Sequence, residues 1–378
     1  MRTLNEERLV STFVELALID AVSGHERRLA DFLRARFEEL GLETEEEELG
    51  ADRDGDCGNI LVRIPGPVTP PVLFSAHLDT VQSTAGIEIY EEAGVFRSRG
   101  ERILGADDRA GIAVMLEAAR VLSESGGSPA ALEYLFTVSE ETGLRGVSAL
   151  SPAWLQARDG FVLDLGGEIT TLVNRAPYGQ KLRFLIKGKP AHAGIEPEQG
   201  ISAVSIAARA IDRTPLGRID PETTANIGII KGGSATNIVP GEVEVWGEAR
   251  SLDPKRLADQ VGAMVDSFRA AAREYGGTVE IESTREYPGF HIHRDTRVFK
   301  LAEAASEALG LPFHVDTSCG ASDANILNGK GITVLNLSVG MGSPHSHSEY
   351  LRRIDLINAG RLILQIIDSM DPSFRPES

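Results

Sequence analysis

Five short stretches carry residue types that could do chemistry. In Ser75-Ala76-His77-Leu78-Asp79-Thr80-Val81 an imidazole and a carboxylate stand two residues apart, just after the apolar run Val72-Leu73-Phe74. Residues i and i+2 of a strand share a face, so His77 and Asp79 are expected to emerge together where a buried strand ends. A metal-ligating histidine gives its second ring nitrogen to an orienting group, and Asp79 could serve that need. The other four are Gly105-Ala106-Asp107-Asp108-Arg109-Ala110-Gly111, Phe136-Thr137-Val138-Ser139-Glu140-Glu141-Thr142-Gly143, Val162-Leu163-Asp164-Leu165-Gly166-Gly167 and Pro344-His345-Ser346-His347-Ser348-Glu349-Tyr350. Singly, each has a bland reading, because acids at strand ends and helix starts commonly cap or solvate. Together they are harder to dismiss: four of the five fall where a strand is expected to stop, which is where α/β sheets assemble sites.

His77, Asp107, Glu141, Asp164 and His345 make a nitrogen/oxygen ligand set suited to zinc, with manganese or cobalt as alternatives. One catalytic zinc takes three protein ligands, so five imply two cations sharing a carboxylate. Such a pair, about 3.5–4 Å apart, would hold a bridging water and polarise a carbonyl. Glu140, beside a ligand, is then the natural proton shuttle.

The elements that must position these groups follow from pattern. A helix is expected over 3–22 and a second from Ser23, with Glu26 completing a capping box and Gly41 ending the helix. Strands are expected near 59–64, 72–76, 132–138, 161–165 and 332–337, with helices at 110–123, 295–309 and 355–370. This alternation predicts an α/β sheet with helices packed on it. Between them, 180–187, 201–212, 226–230, 243–248, 254–275 and 278–282 read β-α-β-β-α-β, the ferredoxin-like split motif. The expected domains are therefore 1–178 and 288–378 together, with 179–287 inserted. The acidic run Glu45–Glu48 reads as a solvated edge or loop.

Composition bounds the function. With 378 residues, 42% hydrophobic and 25% charged, the chain is an ordinary globular protein long enough for two domains. Its net charge of −18 argues against nucleic acid or an anionic membrane as partner. The two cysteines, Cys57 and Cys319, suggest neither a disulfide framework nor metal-ligand spacing. With no apolar leader and no run of 18 apolar residues, a soluble, reducing, cytoplasmic setting is expected.

In combination these motifs resemble the co-catalytic zinc exopeptidases typified by peptidase T, carboxypeptidase G and succinyl-diaminopimelate desuccinylase, over essentially the whole chain. The resemblance implies a zinc-exopeptidase (phosphorylase/hydrolase-like) mixed-sheet catalytic domain with helices on both faces, plus an inserted ferredoxin-like α+β lid and dimerisation domain. It implies two divalent metal ions, with Asp107 bridging, His77 and Asp164 completing one site, and Glu141 and His345 the other. His345 is preferred to His347 because the family's histidine precedes its glutamate, here Glu349, by four residues. Asp79 would orient His77, and Glu140 would be the general base acting on a metal-bridged water.

In the insertion, Lys189-Pro190-Ala191-His192-Ala193-Gly194 resembles the lid motif whose histidine contacts substrate, often across a homodimer. Asn237, in Gly232–Pro240, and Arg250 resemble further substrate-binding positions, and Gly320–Ala324 resembles a loop near the specificity pocket. An aspartate at position 164 goes with aminopeptidases and dipeptidases, whereas glutamate goes with carboxypeptidases and desuccinylases. The expected activity is removal of the N-terminal residue from short peptides. The alternatives are an amidohydrolase of the same fold (a deacylase or carboxypeptidase) and, more remotely, a non-catalytic binding protein. Ser139–Gly146 and Asp107-Asp108-Arg109 also resemble a sister group, the self-compartmentalising glutamyl aminopeptidases.

Overall fold

A computed structural model describes residues 2–48 and 55–371. The chain divides into two compact units, one within residues 1–174, 291–317 and 322–378, the other of residues 175–290 and 318–321.

The first unit is built on a mixed sheet. Its main path runs Glu43–Glu46, Ile60–Ile64, Ala130–Thr137, Val68–His77, Asp159–Gly166, Thr333–Gly342, Tyr350–Arg352, Val95–Ser98 and Ile89–Glu92. The four central strands, ending at Thr137, His77, Gly166 and Gly342, are parallel, and antiparallel strands flank them. Fully buried parallel strands read as continuous apolar runs, and Val72-Leu73-Phe74 is fully enclosed. The long helix Ala106–Glu124 lies against these strands and packs with Glu6–Ala17 and Arg353–Asp368. Their shared core gathers Phe13, Phe74, Met115, Phe136, Phe161, Leu337 and Ile363. The short helix Asp323–Gly329 packs on the strands Asp159–Gly166 and Thr333–Gly342.

The second unit is a five-stranded antiparallel sheet in the order Gly217–Asp220, Thr223–Gly232, Glu242–Ser251, Tyr178–Lys187, Thr278–Tyr287. Without the first strand this is the ferredoxin-like arrangement, and its two helices, Ala203–Arg213 and Pro254–Tyr275, pack together on the sheet. Phe184 and Phe268 stack at 3.7 Å in the core they enclose.

Several expectations are corrected. The first helix is Glu6–Ala17, shorter than 3–22 because Asn5 caps it, its side chain accepting from Arg8 N at 3.1 Å. The Ser23/Glu26 capping box does not form: the second helix is Arg27–Glu39, and Glu26 makes no side-chain cap bond. The acidic run read as a solvated edge or loop does supply an edge strand, Glu43–Glu46, though its Glu46 is paired with Arg27 and Arg34. The hairpin Ile89–Ser98, the strand Gly217–Asp220 and the helix Asp323–Gly329 are additions to the elements expected from sequence.

Candidate active site

The carboxyl ends of the four parallel strands deliver four of the five candidate ligands to one place, and the start of the helix Ala106–Glu124 adds Asp107. His77 is the last residue of its strand, Asp164 lies near the end of the next, and Glu140-Glu141 follow the strand ending at Thr137. His345 sits in the turn after Gly342. His77 Nε2 lies 2.9 Å from Asp107 Oδ1 and 3.9 Å from Asp164 Oδ1. The other Asp107 oxygen is 3.1 Å from His345 Nε2, which in turn stands 2.9 Å from Glu141 Oε1. Asp107 thus presents one oxygen to each imidazole.

The donor set fits a cation. His77 Nδ1 is 3.0 Å from the Asp79 main-chain carbonyl, an oxygen that can only accept, so Nδ1 carries the hydrogen. That leaves the Nε2 lone pair of a neutral ring facing the Asp107 carboxylate, a contact that needs a proton or a metal between them. Glu141 Oε1 is buried and, for all its closeness to His345, makes no hydrogen bond. One ligand atom each from His77, Asp107 and Glu141 falls within a 4.8 Å group.

The electrostatics say the same. Burial opposes charge on His77, but the Asp107 and Asp79 carboxylates outweigh it and raise its pKa. The Asp107 and Glu141 carboxylates beside it lift His345 to about 10. Burial and then Asp107 hold the Asp164 carboxyl up, and burial and then Asp164 do so for Glu140. Acids crowd this site beyond what its side-chain cations balance.

Buried acceptors fix the backbone of the site. The Asp79 carboxylate accepts Glu140 N at 2.9 Å through Oδ1, and Glu141 N at 3.1 Å and Ser23 Oγ at 2.6 Å through Oδ2. Its side chain stands 3.4 Å from His77 Nδ1, so the main-chain carbonyl is the nearer orienting group. Glu26 accepts Ser139 N at 2.9 Å and Ser139 Oγ at 3.2 Å. Ser139 has φ +53° and His345 φ +59°, a region that non-glycine residues occupy only where their surroundings impose it.

Glu349 accepts Gly105 N at 2.8 Å and Asp107 N at 3.1 Å, seating the bridging candidate. Asp108 accepts His77 N at 3.2 Å and Gly111 N at 3.1 Å. A Cβ on Gly111 would stand 2.5 Å from Asp108 Oδ1 and 2.7 Å from the Leu163 carbonyl, so only glycine fits. Arg109 is fully buried and donates to the Leu78 carbonyl at 2.5 Å.

Sequence reading gives neither Glu26 nor Asp323 a role beside the site: Glu26 reads as a helix cap, and Asp323, which accepts from Thr137 Oγ1 at 2.5 Å, enters only within the loop 320–324. Glu349 entered only as a spacing mark for His345.

In the second unit, His192 is exposed on a two-residue strand opposite Ile238, and Ala193 N donates to the Asn237 carbonyl at 2.9 Å. His192 Nδ1 accepts from Gly194 N at 3.2 Å, leaving Nε2–H as an outward donor. Arg250 is half-buried, paired with Glu248 at 3.0 Å beside the Tyr287 ring.

Among the described residues no helix is long and apolar enough to cross a membrane. Residues 179–276 match the model of the peptidase dimerisation domain and residues 59–168 that of peptidase family M28. An uncharacterised Bacillus subtilis protein, YqjE, is 40% identical over 97% of this chain and 99% of its own. The crystal structure of aminopeptidase PepT from Bacillus cereus superimposes with TM-score 0.89 at 39% identity, covering 97% of this chain and 99% of that one. A Staphylococcus aureus tripeptidase does so with TM-score 0.92 at 37% identity and the same coverage.

Proposed function

Because this chain belongs to the co-catalytic metallopeptidase family typified by peptidase T, we propose that it is an aminopeptidase that hydrolyses the N-terminal peptide bond of short peptides, tripeptides above all. The observation that carries the reading is the Asp107 carboxylate lying between His77 and His345, one oxygen to each, in a buried surplus of acid.

We assign two divalent cations, zinc by ligand type, to this cluster. His77, Asp107 and Asp164 would hold one cation, and Asp107, Glu141 and His345 would hold its neighbour. When bound, they supply Lewis acidity toward the scissile carbonyl. Glu140 is the general base. Its carboxylate takes a proton from the attacking water as the C–O bond forms, and returns it to the amine as the C–N bond breaks. Asp79 and Glu26 keep Glu140 in place through the backbone of residues 139–141.

For substrate we assign His192 Nε2–H, Asn237 and the Arg250 guanidinium, donors suited to the carbonyl oxygens and terminal carboxylate of a short peptide. We also assign a homodimer through the second unit. Beyond Ala225 the strand Thr223–Gly232 is paired on one side only, and its Ile229 and Ile230 are about half exposed. An apolar open edge of this kind suits strand addition by a second copy. Two free cysteines fit a reducing, cytoplasmic setting.

The deciding experiment strips the protein with chelator, reloads it with zinc and compares tripeptides with N-acyl amino acids, counting metal in parallel. Tripeptide turnover restored at two zinc per chain, with both ions lost in Asp107→Ala, is expected. Robust turnover of the acylated compounds alone would make the chain a deacylase instead.

A further inference from the structure

A second group of ligand atoms lies apart from the five candidates. Glu26, Asp56 and Cys57 each place one ligand atom within a 4.8 Å group. Glu26 and Cys57 are fully enclosed, whereas Asp56 is exposed and leaves a way in from solvent. Glu26 spends Oε1 on Gly24 N and on Ser139, but its Oε2 is buried with no hydrogen-bond partner. A buried carboxylate oxygen left in that state carries its whole desolvation cost uncompensated.

The charges around the Cys57 thiol are three acids, Glu26, Asp56 and Glu46, against Arg27. That guanidinium is already engaged: Nη1 meets Asp31 and Glu46, Nη2 meets Glu46, and Nε and Nη2 donate to the Asp56 carbonyl. Among the described residues, Arg27 makes no bond to the unpartnered oxygen.

We propose that Glu26, Asp56 and Cys57 form a further cation site that takes a thiophilic divalent ion such as zinc or cadmium. A thiolate with two carboxylates is a donor set for a borderline-soft metal and a poor one for magnesium or calcium. Binding forms an S–metal bond and two O–metal bonds, and the thiol proton leaves to solvent. Glu26 joins this site to the proposed catalytic cluster, because its other oxygen holds Ser139, the residue before Glu140. An ion on Oε2 keeps the Glu26 carboxylate charged and so strengthens its grip on that turn.

The test uses full-length, zinc-loaded protein carrying Cys319→Ser, so that Cys57 is its sole thiol. The proposed catalytic ligands contain no sulfur, so a thiolate-to-cadmium charge-transfer band on cadmium titration reports Cys57 alone. One saturating equivalent is expected, with one cadmium retained per chain by elemental analysis, whether it fills an empty site or displaces zinc from it. Adding Cys57→Ser should abolish the band. Asp56→Asn, which keeps an oxygen to accept Arg27 N at the helix start, should weaken cadmium binding by about tenfold or more.

No saturable band, a band that survives Cys57→Ser, or an Asp56→Asn affinity equal to its parent would each overturn the site. The readout does not depend on turnover, so it stands or falls separately from the peptidase reading.

Discussion

Replacing Asp79 with asparagine tests whether the turn carrying Glu140 is held as the structure describes. The carboxylate receives Glu140 N on one oxygen and Glu141 N with Ser23 Oγ on the other. Asparagine keeps one oxygen, so in either orientation its NH2 confronts a backbone N–H. A hydrogen bond to a charged acceptor contributes about 1.5–3 kcal/mol, and a buried donor left unmatched costs about 1–3 kcal/mol more. Allowing partial relief by movement of the turn, the loss is about 3–4 kcal/mol of stability, read as a lower urea midpoint at unchanged slope. The relief has its own consequence, because a shift of about 1 Å in a catalytic group costs on the order of 10²-fold in rate. Steady-state kinetics on a tripeptide at saturating zinc should therefore show kcat down about 10²-fold, with metal content retained. Ser23→Ala removes one donor and leaves the carboxylate intact, so its loss should be about 1 kcal/mol. An Asp79→Asn protein with a wild-type midpoint and a kcat/KM within about threefold of wild type (under ~0.7 kcal/mol) would refute the argument.

Three further outcomes are expected. Glu140→Gln should keep both metals and lose about 10²–10⁴-fold in kcat, and a full metal count with normal turnover would remove its role as base. His192→Ala should impair turnover at unchanged metal content. If the histidine serves the partner's site, mixed dimers with Glu140→Gln should regain activity that neither variant has alone. Glu46 is a test of pH linkage. Its hydrogen bond from Arg27 lowers its carboxyl pKa, so the stabilisation is present above the unfolded glutamate value of about 4.3 and fades as pH falls through the lower folded value. Glu46→Gln should cost about 1 kcal/mol at pH 7, since the pair is partly solvated, and the gap from wild type should narrow steadily in urea titrations run toward acid.

What could be read from the chain and what could not divide along a physical line. The central parallel strands are long apolar runs, so their ends, and with them His77, Glu140, Glu141 and Asp164, were legible from local pattern, while Asp107 was legible as an acid opening a helical pattern. The hairpin Ile89–Ser98 and the edge strand Glu43–Glu46 were not, because half-exposed strands made of acids and short alternations give no clear period. The seven-residue helix Asp323–Gly329 is too short to show one.

The instructive miss is Ser23 and Glu26. Serine followed three residues later by glutamate meets the local requirement of a capping box, yet in the fold both side chains take partners far along the chain, Ser23 as a donor and Glu26 as an acceptor. Ser23 goes to Asp79, 56 positions along the chain, and Glu26 to Ser139, 113 positions away. A capping rule counts only the helix's own orphan amides, whereas the parallel sheet brings a turn with unmet N–H groups, at residues 139–141, against the same acids. Burial then decides. A carboxylate at an exposed helix start gains little beyond what water offers, but the same carboxylate inside the protein must find donors or pay its full desolvation cost. The buried donors win, and Glu26 becomes part of the machinery around Glu140. The same logic singles out the one Glu26 oxygen that remains unmatched. Among the described residues no donor bonds to it, and a cation drawn from solvent is the partner proposed for it.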